Sequence, residues 1–308
     1  MSLLAITWDV DPVFFSIGSL QIRYYSVGFI LAFFTSYILF KRFFKDKGFK
    51  VELLDKLTFY YIIPATLIGA RVGHCLFYQG AYYLRHPLEI FLPFSDGEFV
   101  GFQGLASHGA AIGIFTALIL YSWKHRVSVL WLLDRMGIAV AISGFFVRMG
   151  NLMNSELFGN PTSLPWGFRF LKSQEYRDRV PDLAKGCHPT QLYEGVSYLL
   201  IFFLLYYLYN KMREQLKPGV LFGIFLILLF SARFVIEYVK LPQEAFENNM
   251  MLNMGQWLSV PFILLGVFTL FMSLKQKWPA SFMVSLADPK QKRSLSSVNP
   301  KQNAPKKK

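Results

Sequence analysis

Seven stretches of this 308-residue chain stay apolar over lengths that suffice to cross a bilayer, and nothing else in the sequence restricts its fold so strongly. They fall at roughly 18–40, 57–78, 101–123, 129–150, 192–209, 219–239 and 255–274, each close to the ~20 helical residues that a hydrocarbon core requires. Composition agrees, with 54% hydrophobic and only 17% charged residues, where a soluble domain carries about 25% charged. The expected fold is therefore an all-α polytopic membrane protein with seven transmembrane helices. The third run is the weakest, because Gly104, Ser107, His108 and Gly109 interrupt it. Such residues are tolerated where a helix faces protein or water instead of lipid. No internal repeat is visible.

Basic residues set the expected orientation. Lys41, Arg42, Lys45, Lys47 and Lys50 follow the first run, Lys124 and Arg126 the third, and Lys211, Arg213 and Lys217 the fifth. In an alternating seven-span chain these share a side with the lysine-rich tail, from Lys275 to the closing Lys306, Lys307 and Lys308. The 151–191 connection lies on the other side, its Arg169, Lys172, Arg177, Arg179 and Lys185 diluted by acids. The positive-inside rule then puts the N-terminus outside and the C-terminus in the cytoplasm. The expected organisation is a seven-helix membrane domain over 1–278 with an external 151–191 segment, then a basic, disordered cytoplasmic tail over 279–308. Asp9 and Asp11 stand where a cleavable signal peptide would be basic, so none is expected. The net charge of +13 sits at span ends and in the tail, which suits membrane orientation and anionic lipid better than nucleic acid. Cys75 and Cys187 fall at different depths and are expected as two unpaired thiols, without metal-ligand spacing to histidines.

Orientation gives every intramembrane polar residue a depth. Arg23, Tyr24 and Tyr25 open the first span at its outer end, and Arg71 and His74 come late in the outward-running second. His108 lies in the outer part of the third. The fourth ends in Arg148, Asn151, Asn154 and Glu156, the fifth begins with His188, Gln191, Tyr193 and Glu194, and the sixth carries Arg233 and Glu237 in its last turns. Arginine and tyrosine near helix ends often snorkel or form aromatic belts, a reading that suffices for Arg23 and Tyr24. It does not account for amides, a histidine and carboxylates at one level. The opposite level holds mainly Asp134 and Arg135, read as interfacial anchors. Ionisable groups within a membrane are costly, and a convergent set of them points to a site.

The residue types limit the ligand. Arg71, Arg148 and Arg233 are permanently charged forks suited to phosphate oxygens. Glu156, Glu194 and Glu237 are placed to orient those guanidiniums, Arg233 and Glu237 by sharing a helix face. His108, flanked by Gly104 and Gly109, is the candidate general base, with a structural histidine as the alternative. Ser107 beside it is no catalytic dyad, since adjacent helical residues point about 100° apart. An anion transporter would use similar arginines but is expected to show broken helices and paired repeats. A seven-helix receptor or structural protein would not need so many charges at one depth.

The stretch Arg148-x-Gly150-Asn151-x-x-Asn154-x-Glu156-x-x-Gly159 resembles the signature of bacterial prolipoprotein diacylglyceryl transferases. The similarity runs over roughly residues 10 to 275. It includes Arg23-Tyr24-Tyr25, Gly69-Ala70-Arg71-x-Gly73, Ser107-His108-Gly109, Leu164-Pro165-Trp166-Gly167, His188-Pro189-Thr190-Gln191-Leu192-Tyr193-Glu194 and Arg233-x-x-x-Glu237. The order and spacing of these pieces make the likeness specific. It implies an enzyme of the bacterial inner membrane that moves diacylglyceryl from phosphatidylglycerol to the lipobox cysteine beside a prolipoprotein's signal peptide, releasing glycerol 1-phosphate, without a cofactor or metal. By the same resemblance Tyr25, His108, Arg148, Asn151, Asn154, Glu156, Arg233 and Glu237 match functional positions; Arg71 and Glu194 join them as headgroup-binding candidates. Tyr25 has two readings, as a donor to the headgroup or as an orienter of His108. The chain departs from the pattern at Val147 and Leu152, usually glycine and phenylalanine, and at Leu229, often tyrosine.

Overall fold

The computed structural model describes residues 5–18, 20–78, 80–90, 94–95, 98–99, 104–180, 182–242 and 250–279. The basic tail expected from residue 279 lies outside these residues beyond Pro279, as do the first residues of the third apolar run. Ten α-helices occur among the described residues: α1 Tyr24–Lys47, α2 Val51–Asp55, α3 Ile63–Tyr78, α4 Gly80–Arg85, α5 Ser107–His125, α6 Val129–Met153, α7 Gln174–Arg179, α8 Thr190–Met212, α9 Val220–Ile236 and α10 Met254–Leu274. A π-helical stretch, Lys56–Ile62, joins α2 to α3. The chain divides into two compact units, one of Met1–Phe40 with Leu133–Trp278, the other including Lys41–Leu132.

Among the described residues, six helical segments are long and apolar enough to cross a membrane: α1, the continuous Val51–Tyr78, α6, α8, α9 with the turn after it, and α10. Their exposed side chains include Ile30, Phe34, Leu200, Phe203, Leu264 and Val267. An apolar outer surface of this kind suits lipid, which solvates it as a protein core would. The protein is thus a mostly helical, multi-pass membrane protein. The third expected span, α5, is a 19-residue helix that does not reach that apolar standard, because polar residues occupy both its ends. It is instead fitted closely to α3. A Cβ on Gly109 would lie 2.3 Å from the Gly69 carbonyl oxygen, and one on Gly73 would lie 2.6 Å from Gly109 Cα. Small residues let the two backbones touch, the usual way membrane helices gain packing energy.

Three small sheets among the described residues modify the expected all-α fold. Strands β1 Ile6–Trp8, β6 Pro161–Thr162, β7 Phe168–Phe170 and β8 Gly186–Cys187 form one sheet in the order β1-β7-β8-β6. β2 Val13–Ile17 and β3 Leu20–Arg23 form a hairpin, as do β4 Phe94–Ser95 and β5 Glu98–Phe99. The first sheet turns the 151–191 connection into a folded head with its own core of Leu152, Phe158, Phe168, Phe170, Tyr176, Val180 and Cys187, against which Trp8 packs. β1 pairs parallel to β7, Ile6 opposite Phe168, and Trp8 Nε1 donates to the Leu152 carbonyl at 3.0 Å. Tyr176 is fully buried, its hydroxyl donating to the Lys185 carbonyl at 2.6 Å. Cys187 and Cys75 are both buried and free, as expected. Burial pushes the Cys187 thiol up to about 12.

Asp134 does not act as an interfacial anchor. It is completely buried and accepts from the backbone N–H groups of Gly219 and Phe222, each at 2.8 Å. It thereby caps α9, whose preceding Gly219 has φ 92, and satisfies N–H groups left open at a helix start. Arg135 pairs with Asp134 at 3.6 Å and lies over the Tyr209 ring. α10 starts with a capping box in which Asn253 and Gln256 exchange side chain-to-backbone hydrogen bonds at 2.9 and 3.1 Å.

Candidate functional site

α6 carries Arg148 and Asn151 on its last turns and then unwinds around Glu156. Ser155 and Leu157, on either side, have φ of 55° and 60°, a left-handed conformation that costs a non-glycine residue ~1–3 kcal/mol. The first turn of α8 sustains it. Gln191 Nε2 donates to the Glu156 carbonyl at 2.6 Å, and Thr190 Oγ1 to the Leu157 carbonyl at 2.7 Å. Within the loop, Glu156 N–H donates to the Asn151 carbonyl at 3.2 Å. The loop's far end is sewn down on both sides: Gly159 N–H donates to the His188 carbonyl and Asn160 N–H to the Val239 carbonyl, both at 2.8 Å. Gly159 and Lys240 form an isolated antiparallel bridge.

This scaffold connects the polar side chains into one chain of contacts. Asn154 and Asn151 both donate to Glu156 Oε1, at 3.3 and 2.7 Å. Arg148 Nη1 donates to Asn151 Oδ1 at 3.2 Å, while its Nε is paired directly with Glu194 Oε2. The other Glu194 oxygen takes Lys240 Nζ at 3.4 Å, and Lys240 lies 3.9 Å from Glu237 Oε2. Tyr25 hydrogen-bonds with the Asn151 side chain, and Gly150 lets its ring approach; a Cβ there would be 2.9 Å from Tyr25 Cδ2. Tyr198 hydrogen-bonds with Arg148 and lies within electrostatic reach of Arg233. The Glu194 and Lys240 side chains are 1% and 2% exposed, so their charges depend on each other: a buried ion is costly without a partner. Arg148 is held by an amide on one side and a carboxylate on the other, a fixed fork suited to an anion's oxygens.

Of the residues singled out in the sequence, Tyr25, Arg148, Asn151, Asn154, Glu156 and Glu194 form this connected set, with Arg233 and Glu237 at its edge. Glu194 orients an arginine as expected; Glu156 reaches Arg148 only through Asn151. Glu237 does not pair with Arg233 among the described residues. It opens the 3₁₀ turn Glu237–Val239 and faces Lys240 instead. Its Oε2 is buried without a hydrogen-bond partner among the described residues, as is Asn154 Oδ1. Lys240 and Tyr198 were not picked out from the sequence. Their only signal is periodicity, Lys240 three residues after Glu237 and Tyr198 four after Glu194.

Arg71 and His108 belong to the other unit. Arg71 is buried and donates to the backbone carbonyls of Ile90 and Glu89 at 3.1 and 2.9 Å, with the Tyr83 ring 5.1 Å away. Its fork is used on its own unit's backbone, bracing the turn after α4. His108 is exposed in the first turn of α5, its ring edge-on to Phe77 at 4.9 Å and beside Tyr78 at 5.9 Å. His74, stacked on Tyr78, supports Gly104: a Cβ at that φ of 80° would lie 2.1 Å from His74 Nε2. His188, in the head, lies 3.2 Å from the Tyr193 hydroxyl, which accepts from Trp166 Nε1 at 2.9 Å. Burial lowers its pKa below the ordinary histidine value.

A multi-pass helical membrane protein with an arginine–carboxylate–amide constellation where α6 ends and α8 begins is the class that this fold and site define. The chain belongs to the prolipoprotein diacylglyceryl transferase family, whose family model matches residues 12–272. It is 43% identical over 280 residues to the phosphatidylglycerol–prolipoprotein diacylglyceryl transferase of Porphyromonas gingivalis, covering 88% of this chain and 95% of that one. The proteins of the same name from Tolumonas auensis and Bacteroides fragilis are 42% and 39% identical, over 88% and 89% of this chain and 98% of each relative.

Proposed function

We propose that this enzyme transfers the diacylglyceryl group of phosphatidylglycerol to the lipobox cysteine thiol of a prolipoprotein, forming a thioether and releasing glycerol 1-phosphate. The observation that carries the reading is the Arg148 fork, fixed between Glu194 of α8 and Asn151 of α6, beside the loop that holds Asn154 and Glu156. Arg148 and Arg233 grip the donor's phosphate and stabilise the charge that grows on it as glycerol phosphate departs. Asn151 and Asn154 position headgroup oxygens, and the free acceptor capacity at Asn154 Oδ1 and Glu237 Oε2 suits headgroup hydroxyls. A free thiol is mostly protonated at neutral pH, with a pKa near 8.5, and the thiolate is the nucleophile. His108, exposed at the start of α5, takes that proton as sulfur attacks the glycerol carbon bearing the phosphate ester.

The membrane arrangement belongs to the same reading: seven spans, N-terminus outside, C-terminus in the cytoplasm, in the inner membrane. The number of spans has a parity argument in its support. β1 precedes α1 and β7 follows α6, yet they pair, so an even number of crossings separates them. α1, Val51–Tyr78 and α6 make three, and α5 supplies the fourth.

The test of function is reconstitution of the purified protein in phosphatidylglycerol vesicles with a lipobox peptide. Thioether peptide and glycerol 1-phosphate are the expected products; their absence refutes the reading. His108→Gln should slow turnover by ~10²–10⁴-fold and recover as pH rises and the thiol ionises unaided. If lipid binding is lost while the bound-state chemistry is unchanged, His108 binds the donor and is not the base. Engineered tail cysteines should resist an impermeant thiol reagent from outside.

A further inference from the structure

We propose that Lys240 is a positioning residue of the transfer reaction, holding Glu194 in the geometry that orients Arg148. The proposal rests on the transferase reading above. Glu194 is nearly inaccessible and gives its two oxygens to two different cations: Oε2 to Arg148 Nε, Oε1 to Lys240 Nζ at 3.4 Å. A carboxylate with one cation can swing about its χ3 torsion, a broad two-fold rotor. One clamped at both oxygens cannot. Lys240 thus fixes the plane of Glu194, and Glu194 fixes the Nε edge of Arg148, whose guanidinium also meets Asn151 and Tyr198 and turns its remaining donors to the ligand.

Lys240 is itself held independently of the site. It bridges Gly159 across the loop, follows Val239, whose carbonyl accepts from Asn160 N–H at 2.8 Å, and precedes Leu241 and Pro242, the latter's carbonyl accepting from Arg179 Nη2 at 2.6 Å. The folded 151–191 head therefore grips the end of α9 and sets the lysine's place. Lys240 is buried and has a carboxylate on each side, so its work is done through Glu194 and not on substrate.

The experiment is a double-mutant cycle on kcat/KM in the phosphatidylglycerol–lipobox peptide assay, with Lys240→Met, Glu194→Gln and the pair together. Wild-type inactivity would sink the transferase reading itself; the cycle is read against an active wild type. Each single variant should lose about 10–100-fold, as one ångström of misplacement does. The double should be no worse than the poorer single, because the lysine has nothing to hold once Glu194 is altered. Lys240→Arg, which restores the cation, should regain most of the loss. Multiplying effects in the double variant, an unimpaired Lys240→Met, or a folded Lys240→Arg as poor as Lys240→Met would each overturn the proposal. If Lys240→Met is not recovered folded, Lys240→Gln takes its place in the cycle under the same criteria.

Discussion

Alanine at Gly159 should disable the enzyme without touching a charged residue. A Cβ there would lie 2.3 Å from the Val239 carbonyl oxygen and 2.8 Å from both His188 Cβ and Thr190 Cγ2, where ordinary carbon contacts need ~3.5–4.0 Å. The nearest atom is backbone and cannot swing aside, so two segments must part by about 1 Å. Overpacking of this sort costs ~1–3 kcal/mol. The bonds at risk are Gly159 N–H to His188 and Asn160 N–H to Val239, each worth ~0.5–1.5 kcal/mol. A total of ~2–6 kcal/mol is expected as a lowered thermal midpoint in detergent. Activity should fall further than stability, since a 1 Å displacement of the Glu156 loop or Lys240 costs about 10²-fold in kcat/KM. The assay is thioether formation at a temperature where the variant is folded. Gly80→Ala is the control, because nothing lies within 4 Å of a Cβ built there. Wild-type kcat/KM in Gly159→Ala would refute the idea that the seam between loop and α9 positions the site.

Arg148→Lys keeps the charge but loses the planar fork that spans Glu194 and Asn151, so it should lose ~10²-fold or more in kcat/KM, and Arg233→Lys should be impaired for the same want of a fork; full activity in both would remove the phosphate clamp. Asp134→Asn should cost ~1–2 kcal/mol through the weakened α9 cap, read as a lower thermal midpoint with kcat nearly unchanged. The Cys187 thiol, raised to about 12 by burial, should resist maleimide at pH 8 until the protein unfolds. The same shift contributes stability that is fully present below the unfolded thiol's pKa, near 9, and drains away as pH rises from there toward 12; Cys187→Ser should flatten that alkaline decline in the thermal midpoint.

The sequence makes the spanning helices legible because lipid imposes a long, uniform apolar run on each. α5 reads less plainly: its glycines pack against α3 and polar residues crowd its ends, so it falls short of the apolar standard that the other six segments meet. The Arg148–Glu156 loop was equally readable, since charge beside an apolar helix is too costly to be incidental. The head's sheet was not. Its strands are two to three residues long, too short for a period-two pattern, and its first strand pairs with one that comes only after α1 to α6 in the chain. Lys240 was passed over for a different reason. A lysine near a helix end is also what membrane orientation produces, and only its two carboxylate neighbours distinguish it. Asp134 misled likewise, because the N–H groups it caps lie on a helix more than eighty positions further along.

The pairing of β1 with β7 also has a kinetic side. β1, Ile6–Trp8, finds its partner only after α1 through α6 have been made. Loops of that length close slowly, and parallel strands give nothing back until they meet. During synthesis the leading strand must therefore wait at the bilayer surface while the helices assemble, and the head closes late. Because Gly159 of the head bridges Lys240, the seat of that lysine beside Glu194 is set only once the head has closed.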